Sequence, residues 1–370
     1  MEPVIISALA TLIIASVYLR MAHTFKSSLF KQSHVANTDM NTDTVPSVSL
    51  CIPARNESHS MTACLESALA SNYPKLEIIV LDDESADNTQ HLIKAFAHSG
   101  VRFIEGTALP DGWLGKNNAL QGLLDQASGS MILFADVDTR FSPNSISEMV
   151  ALMQTKELDM ISVLPQRSTD NATSTIAATM RQFWNVASGT SLSAASNAWM
   201  IRRDVVREQL KGFTAIPLSV RPEKAIAATL GARRYRFVIS SPMLGIYYEK
   251  KLSSQYETSI RIYKPDFGLL GLLVRVAGLY IVLMTYIYLI SAAFQFDTPL
   301  ASWSLLNIIL LSAVNLWYLQ KLRHGSLSLN IATTVCLPLI IGREIILLIM
   351  SAAAYQFNSV TWKGRAVRTR

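Results

Sequence analysis

Four long apolar segments constrain this chain of 370 residues more than any other feature of its sequence. A run of about 20 apolar residues is long enough to cross the hydrocarbon core of a bilayer as one α-helix. Charged residues make up only 16% of the chain, against about 25% in ordinary soluble domains. We therefore predict an N-terminal transmembrane anchor (residues 1–22) and about three C-terminal transmembrane helices (residues 267–357), whose apolar segments are residues 3–19, 267–294, 300–319 and 329–354.

The basic residues after the first apolar segment predict which side of the membrane the next part of the chain occupies. Arg20, Lys26 and Lys31 follow it directly, and the cytosolic flanks of membrane helices are enriched in Lys and Arg. We expect a multi-pass protein of the cell membrane, with a polar linker at residues 23–46 and the following domain in the cytosol. A cleaved signal peptide is the alternative, but such peptides begin with a basic region and this chain begins Met-Glu.

The charge distribution indicates which partners to expect. The net charge is +6, and basic residues gather beside the apolar segments, at residues 250–251 and 363–370. This pattern favours contact with anionic lipid headgroups over binding to nucleic acid. Cys51, Cys64 and Cys336 have neither metal-ligand spacing nor an even disulfide framework, which indicates a reducing, cytosolic environment.

Short apolar runs between residues 47 and 249 alternate with helical patterns. The predicted strands are residues 48–52, 75–81, 101–104, 131–135 and 159–164. Such alternation predicts an α/β fold with a mostly parallel, doubly wound sheet and right-handed crossovers. Polar loops follow the carboxyl ends of these strands, which is where sheets of this kind bind nucleotides.

Two carboxylates follow the fourth predicted strand. Asp136 and Asp138 are separated by one residue, so on an extended backbone they point to the same side. Hard oxygen ligands in this arrangement suit Mg²⁺ or Mn²⁺, the first of which is usually held by one or two carboxylates together with substrate phosphates. The alternative is a solvated acidic turn after a core strand.

Four motifs in order carry a resemblance to a known family. They are Pro-Ala-Arg-Asn-Glu (residues 53–57), Leu-Asp-Asp-Glu-Ser-Ala-Asp-Asn-Thr (81–89), Gly-Trp-Leu-Gly-Lys-Asn-Asn-Ala (112–119) and Asp-Val-Asp (136–138). Together they resemble the family 2 glycosyltransferases of the GT-A fold, a nucleotide-diphospho-sugar transferase fold, here over residues 47–249. With Trp-Lys-Gly-Arg at residues 362–365, the chain is similar to a membrane-bound subgroup that includes hopanoid-associated, carotenoid and ceramide glycosyltransferases.

The resemblance implies roles for the residues of these motifs. The donor would be a nucleotide sugar, with a UDP-sugar expected, and a divalent ion on the two motif aspartates would neutralise its diphosphate leaving group. The acidic residues at 82–87 could instead serve only as turn and N-cap residues without binding a nucleotide. The lysine of the third motif could instead be an ordinary solvated charge. The implied nucleotide-sugar-binding residues are Pro53, Arg55, Glu57, Asp82, Asp83, Lys116 and Asp136, and the implied metal ligands are Asp136 and Asp138, the latter also counted as catalytic.

An inverting transfer also needs a base that takes the proton of the acceptor hydroxyl. The family places an Asp of an acidic pair there, at the start of the helix before a Gly-Tyr-x-Val-like strand. Counting back from Tyr235 gives Glu223, which stands between Pro222 and Lys224 instead of in an acidic pair. A first-turn helix residue without a catalytic role is the alternative for Glu223, and Glu249 is the rival base.

The remaining segments favour a single transfer to a membrane lipid acceptor. Residues 253–264 do not match the Gln-x-x-Arg-Trp element of family members that polymerise sugars. Residues 250–266 are predicted to form an interfacial helix, with an ordinary solvated helix as the alternative. A processive polysaccharide synthase and a catalytically degenerate membrane protein that binds sugar nucleotides are the alternative functions.

The last apolar segment decides where the basic tail (residues 358–370) lies. Four complete spans would place this tail outside the cell, against the positive-inside rule. We expect Pro338 and Gly342 to break the segment into a re-entrant hairpin that returns the tail to the cytosol. Arg343 and Glu344 are adjacent in this segment, so on a helix they do not face each other and each needs its own partner.

Overall fold

Ten short strands and several helices are formed by residues 45–249. The computed structural model describes residues 2–30, 45–167, 172–177, 179–188, 193–322 and 327–367. In chain order the strands are β1 (Val48–Ala54), β2 (Leu76–Asp82), β3 (Val101–Glu105), β4 (Met131–Ala135), β5 (Thr139–Phe141), β6 (Met160–Leu164), β7 (Gln166–Arg167), β8 (Ala198–Arg202), β9 (Tyr235–Ile239) and β10 (Ile246–Tyr248).

The described helices are of two kinds, short helices of the sheet region and long apolar helices. In chain order they are α1 (Glu2–Ser28), α2 (Ser58–Leu69), α3 (Thr89–Ala95), α4 (Gly115–Gln126), α5 (Ser145–Thr155), α6 (Ala172–Ala177), α7 (Thr179–Ala187), α8 (Pro222–Arg234), α9 (Leu252–Gln295), α10 (Thr298–Leu322), α11 (Leu327–Val335) and α12 (Leu337–Gln356). Helical turns cover Ala97–Ser99, Val205–Gln209 and Gly212–Ala215, and two-residue strands cover β11 (Thr361–Trp362) and β12 (Arg365–Ala366).

The central sheet has seven strands in the order β3-β2-β1-β4-β8-β6-β9. All neighbours pair in parallel except β8, which runs antiparallel to both β4 and β6. The five predicted strands are present with ends within two residues of those expected, so the predicted α/β fold is confirmed. The pattern did not predict β8, nor the second sheet of order β5-β10-β7.

Continuous burial explains why apolar runs form the middle of this sheet. Every residue of β4 and β6 is buried, as expected of strands covered on both faces. The antiparallel strand β8 adds Trp199, whose ring centroid lies 4.4 Å from that of Phe134. Phe213 packs edge-on against the same Phe134 at 5.5 Å. These rings fill the space between the sheet and the segment that leads to α8.

The chain divides into two compact units. The α/β unit contains residues 28–168, 190–249 and 363–370, and the helical unit contains residues 1–27, 169–189 and 250–362. Among the described residues, the chain has four helices that are long and apolar enough to cross a membrane: residues 3–28, α9, α10 and α12. The first helix continues to Ser28, into the predicted linker, and residues 31–44 of that linker lie outside the described part.

Several polar groups inside the helical unit are paired across helices. Asn307 of α10 is fully buried, accepts a hydrogen bond from Thr11 Oγ1 at 2.7 Å and donates to the Ser7 carbonyl at 2.9 Å. Pro265 in α9 has no N–H for the Arg261 carbonyl one turn earlier. The Tyr355 hydroxyl of α12 donates to that carbonyl at 2.6 Å instead. A helix break is thus satisfied from within the unit, as an apolar environment would require.

Breaks in the long helices fall close to predicted boundaries. Gly268 has φ +65° and ψ 174° inside α9, next to the expected junction between the interfacial segment and the first C-terminal span. The last apolar segment is divided into α11 and α12 just before Pro338, while Gly342 lies within α12. One helix boundary thus lies beside Pro338, whereas Gly342 does not interrupt α12, and the re-entrant hairpin stays a prediction.

The adjacent charges of α12 have separate partners, as expected. Glu344 is buried and accepts a hydrogen bond from Trp184 Nε1 at 2.6 Å. The Arg343 guanidinium lies 4.5 Å from the ring centroid of Tyr256. A third charge, Arg275 of α9, lies 3.8 Å from the ring centroid of Phe267. Aromatic rings therefore accompany every one of these buried or partly buried charges.

A partly buried carboxylate of β2 is joined to the turn before β4 and provides a stability prediction. Glu77 accepts hydrogen bonds from the Ser128 N–H at 2.6 Å and the Gly129 N–H at 3.2 Å, and pairs with Arg102 at 3.0 Å. Burial alone would raise the pKa of Glu77, but hydrogen bonds from Ser49, Ser128 and Gly129 outweigh it and lower the pKa.

Glu77→Gln should lower the free energy of unfolding by about 1–3 kcal/mol, because the variant loses a charged hydrogen-bond acceptor. A carboxyl with a lowered folded pKa contributes stability above its unfolded pKa and loses it as the pH falls through the folded value. The difference in melting temperature from wild type should therefore be present at pH 7 and shrink below about pH 4. Glu66→Gln, on the exposed face of α2, is the control; an equal change there would contradict the assignment.

Candidate active site

The carboxyl ends of three adjacent parallel strands bring the predicted site residues to one edge of the sheet. The order β2-β1-β4 places these strands side by side. Pro53 lies within β1 in register with Leu81, Asp82 ends β2, and Asp136 follows β4 directly. The Asp83 N–H donates to the Ala54 carbonyl at 2.8 Å. The hydrogen-bond pairing between β1 and β2 therefore continues into the loops that follow them. The predicted clustering of these loops is therefore a consequence of strand order.

The loops after β1 and β2 hold each other through side chains. Arg55 donates to the Asp83 carbonyl and, at 3.0 Å, to the Glu84 carbonyl. Thr89 Oγ1 accepts from the Glu57 N–H at 2.8 Å. Burial opposes the charge of Asp87, but hydrogen bonds from Thr89 and Ser58 outweigh it and lower its pKa to about 2. Part of the acidic cluster thus has the turn role that was the alternative for it.

Lys116 and Asp136 form an ion pair at 2.5 Å between Nζ and Oδ1. Lys116 is the second residue of α4, at the helix start expected for it. The next residue, Asn117, is buried and donates to the carbonyls of Pro217 and Ser219, both at 2.9 Å. The motif at 112–119 therefore positions a cation over the Asp-x-Asp element and fixes the loop before α8.

Three potential metal-ligating atoms converge around Asp138. One ligand atom each from Glu57, His59 and Asp138 lies within 4.8 Å of the other two. The Asp138 side chain is buried, at 5% exposure. Asp136, the other predicted metal ligand, is outside this group. It is paired with Lys116, whereas Asp138 lies beside Glu57 and His59. Carboxylate oxygens at this spacing fit a hard divalent cation.

His59 is a candidate site residue that was not predicted from the sequence. It is the second residue of α2, the helix that begins directly after the Pro-Ala-Arg-Asn-Glu motif. A single histidine two residues from a motif glutamate carries little information by itself. Its proximity to Asp138 depends on β1 and β4 being neighbours, and sequence spacing does not reveal that.

The predicted base is buried and paired. Glu223 is 1% exposed and lies in the first turn of α8, with Pro222 at the helix start as expected. Its Oε1 accepts from Arg221 Nε at 2.9 Å. Helix α8 returns to a parallel strand, so its first turn lies at the same edge of the sheet as the other site residues.

The rival base is exposed and lies beside the Asp-x-Asp element. Glu249 follows β10, which pairs antiparallel with β5. Its backbone N–H donates to the Asp138 carbonyl at 2.9 Å. Its carboxylate is 46% exposed and lies 3.6 Å from Arg140 Nη2. Glu249 is thus placed next to Asp138 by backbone pairing, which the sequence pattern did not reveal.

Two basic side chains of the C-terminal tail also reach this edge. Lys363 Nζ lies 2.9 Å from Glu57 Oε1, and Arg365 Nη1 lies 2.6 Å from Asp83 Oδ2. The Trp-Lys-Gly-Arg motif was noted in the sequence, yet its contact with the strand ends was not predicted. These contacts join the tail to two of the predicted nucleotide-binding residues.

Comparison with known proteins agrees with this geometry. Residues 49–210 match the sequence model of Glycosyl transferase family 2. This part of the chain is a family 2 glycosyltransferase domain. It includes β1, β2, β4 and the loops that follow them, so the matched region contains most of the residues described above. Glu223, Glu249 and the C-terminal tail lie beyond it.

Curated relatives resemble the same domain. A UDP-Glc:α-D-GlcNAc-diphosphoundecaprenol β-1,3-glucosyltransferase of Escherichia coli is 29% identical over 106 residues, 29% of this chain and 40% of the relative. A poly-β-1,6-N-acetyl-D-glucosamine synthase of Staphylococcus aureus is 32% identical over 128 residues, 34% of this chain and 29% of the relative. The chain therefore spans less than half the length of the curated relatives it matches.

A solved structure shows the same fold over most of the chain. The mannosyltransferase PcManGT from Pyrobaculum calidifontis, determined with GDP-Man and Mn²⁺, aligns with a TM-score of 0.54. The alignment covers 94% of this chain and 98% of that protein, at 17% identity. Likeness at this identity establishes the fold alone, and it confirms the predicted GT-A fold.

Proposed function

We propose that the protein transfers a single sugar from a nucleotide sugar, with a UDP-sugar expected, to a membrane lipid acceptor. The observation that carries the proposal is the convergence of the loops after β1, β2 and β4 at one edge, with Lys116 beside them. Such an edge is where open α/β sheets bind nucleotides. The Escherichia coli and Staphylococcus aureus relatives are both enzymes that transfer sugars.

The residues present fit a divalent cation, Mg²⁺ or Mn²⁺. Glu57 and Asp138 offer carboxylate oxygens and His59 a ring nitrogen within 4.8 Å of one another. Asp136, the other predicted ligand, is oriented by Lys116. When bound, the cation would neutralise the charge that develops on the leaving diphosphate. Lys116, at a helix start, adds a second positive charge where an anion is favoured.

A lipid acceptor is supported by the helical unit. In the described part of the chain, four helices are long and apolar enough to span a bilayer, and Arg275, Arg343 and Glu344 lie in such helices. Charged groups at membrane depth usually mark functional sites. The Escherichia coli relative acts on a diphosphoundecaprenol substrate. The Staphylococcus aureus relative is a polysaccharide synthase, which keeps processive synthesis as the second candidate; the absence of Gln-x-x-Arg-Trp at 253–264 favours a single transfer.

The transfer needs a base, and Glu223 is the proposed one. The acceptor hydroxyl attacks the anomeric carbon opposite the diphosphate and gives its proton to a carboxylate, which inverts the configuration at that carbon. The position of Glu223 at the start of α8 supports this role. Its burial and pairing with Arg221 oppose it, because removing a buried carboxylate from its partner is costly. Glu249, exposed beside Asp138, is the alternative.

The bound tail supports a cytosolic tail and a re-entrant last segment. Lys363 and Arg365 contact Glu57 and Asp83 of the α/β unit, so the tail and this unit must lie on one side of any membrane. The chain between residues 249 and 363 therefore crosses an even number of times. The nine-residue α11 is about 13 Å long, too short to cross alone. Helices α9 and α10 would then cross and return, and α11–α12 would enter and leave from one face.

Ligand-dependent stabilisation tests the donor and metal assignments. Purified protein should melt at a higher temperature with one of a panel of UDP-, GDP- and dTDP-sugars, and Mn²⁺ should increase the shift, since ligands stabilise the state they bind. Asp138→Asn should lose the Mn²⁺-dependent part, whereas Asp125→Asn on the exposed face of α4 should behave like wild type. A retained metal effect in Asp138→Asn would refute the metal site. No shift with any sugar nucleotide would favour the degenerate binding protein.

A pair of isosteric variants distinguishes the two candidate bases. Glu223→Gln should lower kcat about 10²–10⁴-fold, the usual contribution of a general base, with donor affinity unchanged. Glu249→Gln should change kcat only a few-fold. Single-turnover rates and donor binding measured on the same preparations separate the two effects. A large loss of kcat in Glu249→Gln with Glu223→Gln near wild type would assign the base to Glu249.

Cysteine labelling tests the membrane topology. Cys51 and Cys64 are buried, so only Cys336 needs replacement before single cysteines are introduced at the exposed positions Ser99, Gln295 and Ala366. A membrane-impermeant maleimide should label Ser99→Cys and Ala366→Cys from the same side of sealed vesicles, and Gln295→Cys from the other. Labelling of Ala366→Cys together with Gln295→Cys would contradict the even number of crossings.

A further inference from the structure

The C-terminal tail makes a tight turn that directs two cations to the strand ends. Lys363 and Gly364 both have positive φ, +50° and +80°. A lysine rarely adopts this conformation, so the turn requires compensation from tertiary contacts. Lys363 Nζ donates to the Asn56 carbonyl at 3.1 Å, and the Lys363 carbonyl accepts from Arg55 Nε at 3.2 Å. The backbone and the side chain of the turn are thus both fixed by the loop after β1.

Arg365 bridges two acidic residues of the loop after β2. Its Nη1 lies 2.6 Å from Asp83 Oδ2, and its Nη2 pairs with Glu84. The Asp83 side chain is only 4% exposed and that of Arg365 16%. A guanidinium presents its donors in a fixed planar geometry, so this contact sets the orientation of the Asp83 carboxylate.

Asp83 has one buried oxygen that remains for a ligand. Its Oδ1 is buried and has no hydrogen-bond partner within the described part of the chain. Buried polar atoms are nearly always paired, so an exception calls for a bound group. Burial raises the pKa of Asp83, and Arg365 and Arg55 oppose that rise. Because Arg365 occupies only Oδ2, Oδ1 can accept a hydrogen bond from an N–H or hydroxyl group of a ligand.

Gly115 leaves the space that Arg365 occupies. A Cβ atom at this position would lie 2.8 Å from Arg365 Nη1 and 3.1 Å from Asp83 Oδ2. Gly115 is the first residue of α4 and precedes Lys116. The Gly-Trp-x-Gly-Lys and Trp-Lys-Gly-Arg elements, far apart in the chain, therefore meet at one carboxylate.

We propose that Arg365 is a positioning residue of the donor site: it holds Asp83 by Oδ2 so that Oδ1 accepts a hydrogen bond from the nucleoside of the donor. Lys363 anchors the same tail through Glu57. This inference rests on the proposed function, since it requires a nucleotide sugar at this edge. It adds a segment outside the matched family 2 domain to the donor site.

The test compares Arg365→Ala, Arg365→Lys and Arg233→Ala for affinity and turnover with the UDP-sugar or other nucleotide sugar that stabilises the wild type. Arg365→Ala should weaken donor binding about 10- to 100-fold, the loss expected for a hydrogen bond to a charged group, with kcat at saturating donor within about threefold. Arg365→Lys should recover part of the affinity. Arg233→Ala, which removes an equal charge from an exposed position in the last turn of α8, should match wild type.

A double-mutant cycle decides whether Arg365 acts through Asp83. In an Asp83→Asn background, Arg365→Ala should cause little further loss, because the two changes remove the same interaction. Gly115→Ala should weaken binding in the wild type and have a smaller effect in Arg365→Ala. Additive effects of Arg365→Ala and Asp83→Asn would overturn the proposal.

The other outcomes are equally decisive. Unchanged donor affinity in Arg365→Ala, beside a wild type that binds donor, would overturn this inference and leave the proposed function intact. Tighter binding in Arg365→Ala would overturn it in favour of a tail that excludes the donor. A wild type that binds no nucleotide sugar would overturn the proposed function and this inference together.

Discussion

Charge balance at the carboxyl edge of the sheet is the constraint on which the candidate site depends. Parallel strand order gathers Glu57, Asp83 and Asp136 at one place, and like charges in a partly buried position repel one another. Each of these carboxylates is matched by a cation from a different part of the chain, namely Lys363, Arg365 and Lys116. A diphosphate is itself an anion. It can approach an acidic edge only where such cations, together with the divalent ion proposed beside Asp138, outweigh the repulsion.

In the helical unit, the polar groups need hydrogen-bond partners in an apolar environment. Several of its buried polar groups are paired with side chains from other helices, as with Asn307 and Thr11. The carbonyl left free by Pro265 is satisfied by the Tyr355 hydroxyl. Water in an aqueous interior could supply such partners, but the hydrocarbon core of a bilayer could not. This internal satisfaction agrees with the composition of the four long apolar helices.

Local pattern predicted the parts of the fold that depend on continuous burial. Strand β4 was located to the residue because an apolar run bounded by polar residues is a strong local signal. Strand β8 was not, because its antiparallel insertion between β4 and β6 is set by pairing partners distant in sequence. The same limit applied to the site. Asp138 was identified from its motif, whereas His59 and Arg365 join the edge through tertiary contacts that no motif spacing encodes.

The link between the tail and the strand ends also explains why two separated motifs occur together in this chain. A side chain at Gly115 would overlap the guanidinium of Arg365, which is paired with Asp83 in the loop after β2. Replacing Arg365 or Asp83 removes this ion pair. These three residues lie in different segments of the chain, yet packing and charge couple them. The tail is thereby a structural part of the α/β unit.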